Sequence, residues 1–269
     1  MQRYFLPPEQ MDKASCYITG NDVHHIRHVM RFKPGERIIC CDGLGRSALA
    51  EIKAIGPNLV ECTIIDELDE ERELPIRVVI AQALPKGDKM EWILQKGTEL
   101  GAAGFIPFVS QRTVVKYDEE KFAKKRMRWQ SIIKEAAEQS HRQRLPQVTP
   151  LYSLQEMACL QADLKLVADE ERHHQSAGAS PFVQALSQLK PGQEVLIAFG
   201  PEGGFERGEI ALLEEQGFIA IALGRRILRT ETASQYVLAS ISFYFEQMGG
   251  LIPHANGGFS YLRMQSELL

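Results

Sequence analysis

The sequence has little cysteine and no long apolar run. Its five cysteines are an odd set without Cys-x-x-Cys spacing, so neither a disulfide framework nor a zinc site is predicted. No stretch approaches the roughly 20 apolar residues that a membrane-spanning helix needs, and the N-terminal MQRYFLPPEQ contains no apolar signal core. We therefore expect a soluble, cytoplasmic protein with reduced thiols.

Two nucleotide-binding signatures are also absent. Gly200, Gly203, Gly204 and Gly208 do not have the intervals of G-x-G-x-x-G, and G-x-x-x-x-G-K-[ST] does not occur. This spacing disfavours a nucleotide-dependent oxidoreductase, which would have to bind NAD.

A metal site is not expected either. His24 and His28 are four residues apart on a predicted helix, which suits metal ligation, but the sequence offers no third ligand nearby. The pair alone is too weak a signal for a metal.

What is present fits a globular protein of two domains. The chain has 269 residues, of which 44% are hydrophobic and 25% charged, with a net charge of -4. The charge is unevenly placed, because the segment 112–144 is net basic and the segment 66–74 is almost wholly acidic. Local basic surface therefore remains available for nucleic acid.

The acidic segment, followed by Pro75, is the best domain boundary, and we place it near residue 72. Residues 1–72 contain short apolar or alternating runs separated by Pro-Gly, Asp-Gly and Gly-Pro turns, with one helical pattern at 22–32. This pattern predicts a small β-barrel domain.

Residues 73–248 alternate β-type runs with helical patterns, including a long helix at about 119–142 and a last helix at about 232–248. Strands without polar alternation, each followed by a helix, predict an α/β domain with a parallel sheet covered on both faces. Ligands bind beyond the carboxyl ends of such strands, where ADEE, GPEGG and GRRILRTET follow three successive strands. The glycine-rich tail, 249–269, has no assigned role.

The stretch GPEGG follows the apolar strand EVLIAF and carries Glu202 at its centre. A carboxylate repels a polyphosphate, but it accepts hydrogen bonds from ribose hydroxyls and attracts a cation. S-adenosylmethionine offers both features. The alternative is a tight turn and helix N-terminus, where Glu202 and Glu206 interact favourably with the helix dipole.

The stretch LGRRILRTETASQ places Arg225, Arg226 and Arg229 shortly before the last helix, for which Thr230 or Thr232 is the predicted N-cap. Cations at a helix N-terminus interact unfavourably with the helix dipole, so the presence of three arginines there requires another explanation. An RNA phosphate or a developing oxyanion supplies one. The alternative is a solvated basic turn.

GPEGGF followed by LGRRILRTETA closely resembles the paired signature of the RsmE-type small-subunit ribosomal RNA uracil-N3 methyltransferases, members of the SPOUT superfamily. The resemblance covers residues 1 to about 248, and weaker motifs extend it: MQRYFL, HHIRHVMRFKPGERI, ALPKGDKMEWILQKGTELGAAGFIPF and SIIKEAAEQSHRQRLP.

The resemblance implies a PUA-like β-barrel followed by a SPOUT-type parallel-sheet domain whose C-terminal part forms a trefoil knot. It also implies S-adenosylmethionine as cofactor, a homodimer, and 16S ribosomal RNA of the small subunit as substrate, methylated at N3 of one uridine near the decoding region. The alternative is a non-catalytic RNA-binding SPOUT homologue.

The same resemblance implies the residues of the site. Arg229 is the predicted electrostatic stabiliser, and Glu231 is a candidate proton acceptor as well as a candidate helix cap. Residues assigned to the cofactor are Ala168, Asp169, Phe199, Gly200, Glu202, Gly203, Leu223, Gly224, Ile227 and Leu228. Residues predicted to contact RNA are Arg3, Arg31, Lys33, Lys86, Lys89, Gln139 and Arg142.

Overall fold

The computed structural model describes residues 1–115, 118–172, 180–249, 252–253 and 259–260. The chain divides into two compact units. The first contains Met1–Glu73 and Ile133–Pro146, and the second contains Leu74–Ile132 and Gln147–Leu269.

The return of residues 133–146 to the first unit is not among the sequence predictions. The long helix α3 (Glu119–Gln139) begins in the second unit and ends in the first. A helix gives one continuous periodic signal, so its sequence carries no mark at the point where it changes unit. The domain limits 1–72, 73–248 and 249–269 stay predictions.

The first unit is built on a five-stranded sheet, as its alternating runs predict. The order is β1-β3-β4-β5-β2, with β1 parallel to β3 and the other neighbours antiparallel. Its strands are β1 (Arg3–Phe5), β2 (Ser15–Thr19), β3 (Arg37–Cys41), β4 (Ser47–Ile55) and β5 (Leu59–Glu67).

The helical pattern of the first unit is also confirmed. Helix α1 (Asn21–His24) continues as a π-helical turn over His25–Met30, which ends at Arg31 with a left-handed φ of 57°. Val23 and Ile26 point into a core that also contains the thiols of Cys16, Cys40 and Cys62. These buried thiols are packing groups, as expected for a protein without disulfides.

Glu138 is a buried carboxyl group in the first unit. Its Oε1 accepts a hydrogen bond from the Phe5 amide at 3.2 Å and lies 3.7 Å from Lys134 Nζ. Burial raises the pKa of Glu138 from 4.5 to about 7, helped by Asp22 and opposed by Lys134. The folded state therefore binds more protons than the unfolded state between these pH values, and stability falls as the pH rises through this window.

We expect Glu138→Gln to remove the loss of stability at high pH. The glutamine side-chain oxygen still accepts a hydrogen bond from the Phe5 amide, and the side chain carries no charge. At pH 8 the variant should be more stable than the parent by up to about 3 kcal/mol, while the two should be nearly equal at pH 4. Urea unfolding at both pH values measures the difference. Glu119→Gln, an exposed position at the other end of the same helix, is the control. An unchanged pH dependence in Glu138→Gln would contradict the assignment.

The second unit contains an all-parallel sheet, as its alternation of strands and helices predicts. The order is β12-β10-β11-β6-β7-β8, and β9 also pairs with β7. Its strands are β6 (Arg77–Ala83), β7 (Gly104–Val109), β8 (Gln147–Val148), β9 (Tyr152–Ser153), β10 (Leu164–Ala168), β11 (Glu194–Phe199) and β12 (Ile219–Ile221).

The long helix and the last helix predicted within residues 73–248 are both present. The last helix begins earlier than predicted, at Thr230, and continues as a π-helical segment over Phe243–Gln247. Two short strands, β13 (Ile252–Pro253) and β14 (Phe259–Ser260), pair in the tail. The helices are α2 (Lys89–Glu99), α4 (Leu154–Ala158), α5 (Pro181–Leu186), α6 (Arg207–Glu215) and α7 (Thr230–Ser242).

The described helices give no sign of a membrane-spanning segment: none is both long enough and apolar enough to cross a bilayer.

Candidate functional site

Three loops meet at one edge of the parallel sheet. Strands β12, β10 and β11 are neighbours, so the loops that follow them leave the same edge. These loops line a cavity of about 730 Å³, within the range of small-molecule sites. The convergence predicted for the three loops is confirmed.

The cavity brings together most of the residues predicted to hold a cofactor. Ala168 and Asp169 come from the end of β10 and the loop after it, and Phe199 and Gly200 come from the end of β11 and the loop after it. Gly203 is not in contact with the cavity; instead, its carbonyl accepts from the Arg112 guanidinium. The remaining predicted residues that line the cavity are Glu202, Leu223, Gly224, Ile227 and Leu228.

Gly200 is required by the loop itself. A Cβ atom at this position would lie 3.0 Å from the carbonyl carbon of Gly204 and 3.3 Å from the Phe205 ring. The Gly200 carbonyl also accepts from Gln82 Nε2 at 3.2 Å and from Thr230 Oγ1 at 2.8 Å. The sequence suggests that Gly200 lets a ligand approach the backbone. In the structure, the absence of a side chain at Gly200 also lets the turn pack against its own backbone.

Asp169 is buried, and its carboxylate is already paired. Arg207 donates to both carboxylate oxygens, at 2.8 and 3.0 Å. Burial alone would raise the pKa of Asp169, but the hydrogen bonds from Arg207 and the Glu171 amide outweigh it, so the pKa lies below its usual value. Because the carboxylate is already paired, a cofactor would contact the backbone atoms of Asp169.

Glu202 is also occupied in this structure. Its Oε1 accepts from the Lys86 amide at 3.0 Å and from Lys89 Nζ at 2.7 Å. Burial opposes ionisation, yet these hydrogen bonds hold the pKa of Glu202 below its ordinary value. Lys89, predicted to contact RNA, thus points its ammonium into the cavity rim and pairs with an acidic loop.

The start of α7 is fixed by Thr230, but not in the predicted way. Arg229 occupies the N-cap position and no side chain caps the helix, so the prediction of Thr230 or Thr232 as N-cap is wrong. Thr230 Oγ1 instead donates to the Gly200 carbonyl and lies 2.9 Å from Gln82 Nε2, which donates to it. Because Thr230 is already helical, its hydroxyl ties α7 to the loop after β11.

Three arginines at the cavity rim have no acidic partner in the described part of the chain. Arg225, Arg226 and Arg229 all line the cavity and are exposed. Among the described residues, no carboxylate lies within ion-pair distance of any of the three. A cluster of unneutralised guanidinium groups beside a cavity is suited to an anion.

Glu231 follows two residues after Arg229. Its Oε2 is buried and has no hydrogen-bond partner among the described residues. The nearest cation is Lys89, whose Nζ is 3.9 Å away. α7 shows no capping box, so the cap role considered for Glu231 is not seen.

The residues predicted to contact RNA separate into exposed and buried groups. Arg31, Lys33, Lys86 and Gln139 are exposed. Arg3 and Arg142 are only 1% and 3% exposed, so the prediction that they contact RNA is wrong. A guanidinium group that is buried away from water needs a partner inside the protein. Arg3 pairs with Glu70 at 2.6 Å, and Arg142 pairs with Glu73.

Several residues of the site are not among the predictions. Gln82 ties together the Gly200 loop and α7, and Arg207 and Arg112 hold two of the loops. Only Gln82 leaves a signal in the sequence, as the one polar residue in the apolar run VVIAQAL. The partners of the two arginines are set by tertiary contacts.

Metal ligation finds no support in the part of the chain that the structure describes, since no group of three His, Cys, Asp or Glu residues is arranged to hold an ion. His24 and His28 lie with their ring centroids 4.8 Å apart. The neighbouring histidines 173 and 174 lie outside the described residues.

Comparison with known families assigns both units. Residues 72–242 match the family model of an RNA methyltransferase domain, and residues 18–65 match that of an RNA methyltransferase PUA domain. These matches confirm the predicted combination of a PUA-like domain with a parallel-sheet methyltransferase domain.

Similar proteins cover nearly the whole chain. The ribosomal RNA small subunit methyltransferase E of Bacillus subtilis is 47% identical over 254 residues, which is 93% of this chain and 99% of the relative. The protein of that name from Synechocystis is 35% identical over 247 residues, covering 91% of this chain and 78% of the relative. Among solved structures, the ribosomal RNA small subunit methyltransferase E of Neisseria gonorrhoeae bound to S-adenosylmethionine superposes with a TM-score of 0.78 at 31% identity, covering 92% of this chain and 98% of that one.

Proposed function

This chain belongs to the family of the ribosomal RNA small subunit methyltransferase E proteins, and we propose that it methylates N3 of one uridine in 16S ribosomal RNA, near the decoding region of the small subunit. The observation that carries the proposal is the cavity at the sheet edge, whose rim has three arginines that pair with no carboxylate of the described residues. A cavity of this kind accommodates a small cofactor, and its rim attracts an anionic substrate.

The cavity fits S-adenosylmethionine, which supplies the methyl group when bound. The lining contains backbone from three loops, apolar side chains that can enclose an adenine ring, and acidic groups suited to a cationic ligand with ribose hydroxyls. We assign Phe199, Leu223, Ile227 and Leu228 to the apolar enclosure. Backbone groups of Ala168, Asp169, Gly200 and Gly224 and the carboxylate of Glu202 complete the proposed set, while Gly203 supports the same loop through its hydrogen bond from Arg112.

We assign Arg229 to the reacting base. Uridine N3 carries a proton and is a poor nucleophile, so its reaction requires loss of that proton and stabilisation of negative charge on O2 and O4. Arg229 is exposed, unpaired among the described residues, and set at the N-cap of a helix held by Thr230. A fixed guanidinium donor stabilises developing negative charge without reorganisation.

Glu231 is the proposed acceptor of the N3 proton. Its unpartnered Oε2 retains the capacity to accept a hydrogen bond, and α7 holds it two residues from Arg229. A proton acceptor and a donor to the developing oxyanion are thereby carried by the start of one helix, at its N-cap and in its first turn.

The exposed residues Arg31, Lys33, Lys86 and Gln139 remain our proposed RNA contacts. Lysine and arginine at the surface bind phosphate without reading sequence, whereas the glutamine amide can contact either phosphate or base. RNA binding through them should weaken as salt is raised.

A homodimer and a cytoplasmic location are further parts of the proposal. Ile227, Tyr236 and Phe243 are 82%, 42% and 57% exposed, which leaves apolar surface on the loop before α7, on α7 and on the π-helical segment after it. Apolar patches of this kind are typical of subunit interfaces. The proposed ribosomal RNA substrate supports a cytoplasmic location.

The trefoil knot also remains a proposal. After β12, at one end of the sheet order, the chain returns to β11, where Thr230 donates to the Gly200 carbonyl, and α7 then packs on α2. This backward path is compatible with threading, which is rare among protein folds.

The test begins with calorimetric titration of S-adenosylmethionine. We then expect methyl transfer to 16S ribosomal RNA, either free or assembled in small subunits that lack the modification, with N3-methyluridine as the mapped product. Binding of RNA without heat from S-adenosylmethionine and without transfer would instead support a non-catalytic RNA-binding homologue. Transfer to a different atom or base would overturn the assigned product.

A further inference from the structure

Lys89 lies between two carboxylates that belong to different segments. As the first residue of α2, it extends its side chain toward the cavity rim. Its Nζ is 2.7 Å from Glu202 Oε1, in the loop after β11, and 3.9 Å from Glu231 Oε2, in the first turn of α7. The Lys89 ammonium is therefore within ion-pair distance of both carboxylates but lies closer to Glu202 than to Glu231.

The two carboxylates differ in how well they are satisfied. Glu202 Oε1 also accepts from the Lys86 amide at 3.0 Å, so it has two donors. Glu231 Oε2 is buried and has no hydrogen bond from any described residue. A buried carboxylate oxygen without a donor is costly, and an ammonium that moved about 1 Å would satisfy it.

The segments that carry the two carboxylates are tied to one strand, so the lysine side chain is the part of this group that is free to change partner. Gln82 donates to both the Gly200 carbonyl and Thr230 Oγ1, so the loop that carries Glu202 and the helix that carries Glu231 are held to the same strand. The four-carbon stem of a lysine rotates easily between nearby acceptors. Movement of the ammonium therefore needs no movement of the loops.

We propose that Lys89 is a positioning residue that shifts its ion pair from Glu202 to Glu231 when the methyl donor enters the cavity. The inference rests on the proposed function. Ribose hydroxyls compete with the ammonium for the Glu202 carboxylate, which lines the cavity. The displaced ammonium then closes on Glu231 and fixes its carboxylate in the first turn of α7, two residues after Arg229, so the proton acceptor is set only when the methyl donor is present.

This arrangement predicts a separation between binding and turnover. Lys89→Ala removes the competitor for Glu202, so S-adenosylmethionine should bind at least as tightly as in the parent. Turnover should fall by about ten- to a hundredfold, the range expected for losing a hydrogen bond to a charged group. Lys89→Arg keeps a cation at this place and should recover most of the lost turnover.

A double-mutant cycle tests whether Lys89 acts through Glu231. The loss from Lys89→Ala should largely disappear in the Glu231→Gln background, because the carboxylate to be positioned is then missing. Lys96→Ala is the matched control: Lys96 is on the same helix and pairs with Glu99 at 2.8 Å, away from the cavity lining. It should leave both binding and turnover unchanged.

The measurements are calorimetric titration with S-adenosylmethionine and steady-state methylation of small subunits, with melting temperatures to check folding. The inference is overturned if Lys89→Ala weakens cofactor binding as much as turnover, or if its loss adds in full to that of Glu231→Gln. Wild-type turnover in Lys89→Ala also overturns it. These outcomes leave the proposed function intact, whereas failure of the parent protein to bind S-adenosylmethionine or methylate RNA counts against the function itself.

Discussion

Arg229→Ala is expected to lower methyl-transfer turnover by about a hundredfold or more while leaving the affinity for S-adenosylmethionine within about twofold, because a preorganised donor to a developing oxyanion contributes about 3 kcal/mol. The reason for the separation is geometric. Arg229 is at the rim of the cavity with its side chain exposed, whereas the enclosure of the cavity is formed by loop backbone and apolar groups.

Two controls sharpen the result. Arg229→Lys keeps the charge but loses the planar fork, so it should recover only part of the turnover. Lys96→Ala removes one positive charge from the same unit without touching the cavity lining, and should behave like the parent. Parallel loss of cofactor binding and turnover in Arg229→Ala would instead make Arg229 a cofactor residue.

The second large effect concerns stability. Arg142→Ala should lower the free energy of unfolding by about 3 kcal/mol, because it empties the space of a buried side chain and removes the cation paired with Glu73. Glu73 is the group left behind: it pairs with the Arg142 guanidinium and also accepts from the amides of Gln143 and Arg144 at 3.1 and 3.0 Å. Burial opposes its ionisation, and the Arg142 contacts nevertheless hold the pKa of Glu73 below its usual value.

Arg144→Ala is the matched control for this prediction. Its side chain is exposed, and its amide bond to Glu73 survives the substitution. Urea unfolding of the full chain should show a large loss for Arg142→Ala and at most about 0.5 kcal/mol for Arg144→Ala. A stable Arg142→Ala protein with weakened RNA binding would restore Arg142 as an RNA contact.

The elements of the fold are largely predictable because their signals are local. Apolar runs such as EVLIAF and patterns such as RGEIALLEEQ report which faces are buried, and the structure has β11 and α6 at those positions. The meeting of three loops is also predictable, since parallel strands place their carboxyl ends at one edge. The change of unit along α3 is not, because a helix continues with the same period on both sides.

The partners of charged residues could not be predicted in this way. Arg31 and Arg142 both occur in basic stretches of sequence, yet one is exposed and the other is 3% exposed and paired with Glu73. The difference comes from residues 69 positions away in the chain. Composition gives the number of charged residues in a segment. Whether a particular arginine can be buried depends on whether a carboxylate from a distant part of the chain pairs with it.

By itself, the sequence determined the order of strands and helices, the edge of the sheet that carries the site, and the family through its two loop signatures. Only the tertiary structure decided what each polar side chain does there: Gln82 joins a strand to Thr230, 148 residues later, and Lys89 reaches Glu202 across 113 residues. The physical reason is the distance along the chain over which each interaction acts. Periodicity and turn chemistry act over a few residues, whereas hydrogen bonds and ion pairs are chosen by whichever groups the completed fold brings within about 3 Å.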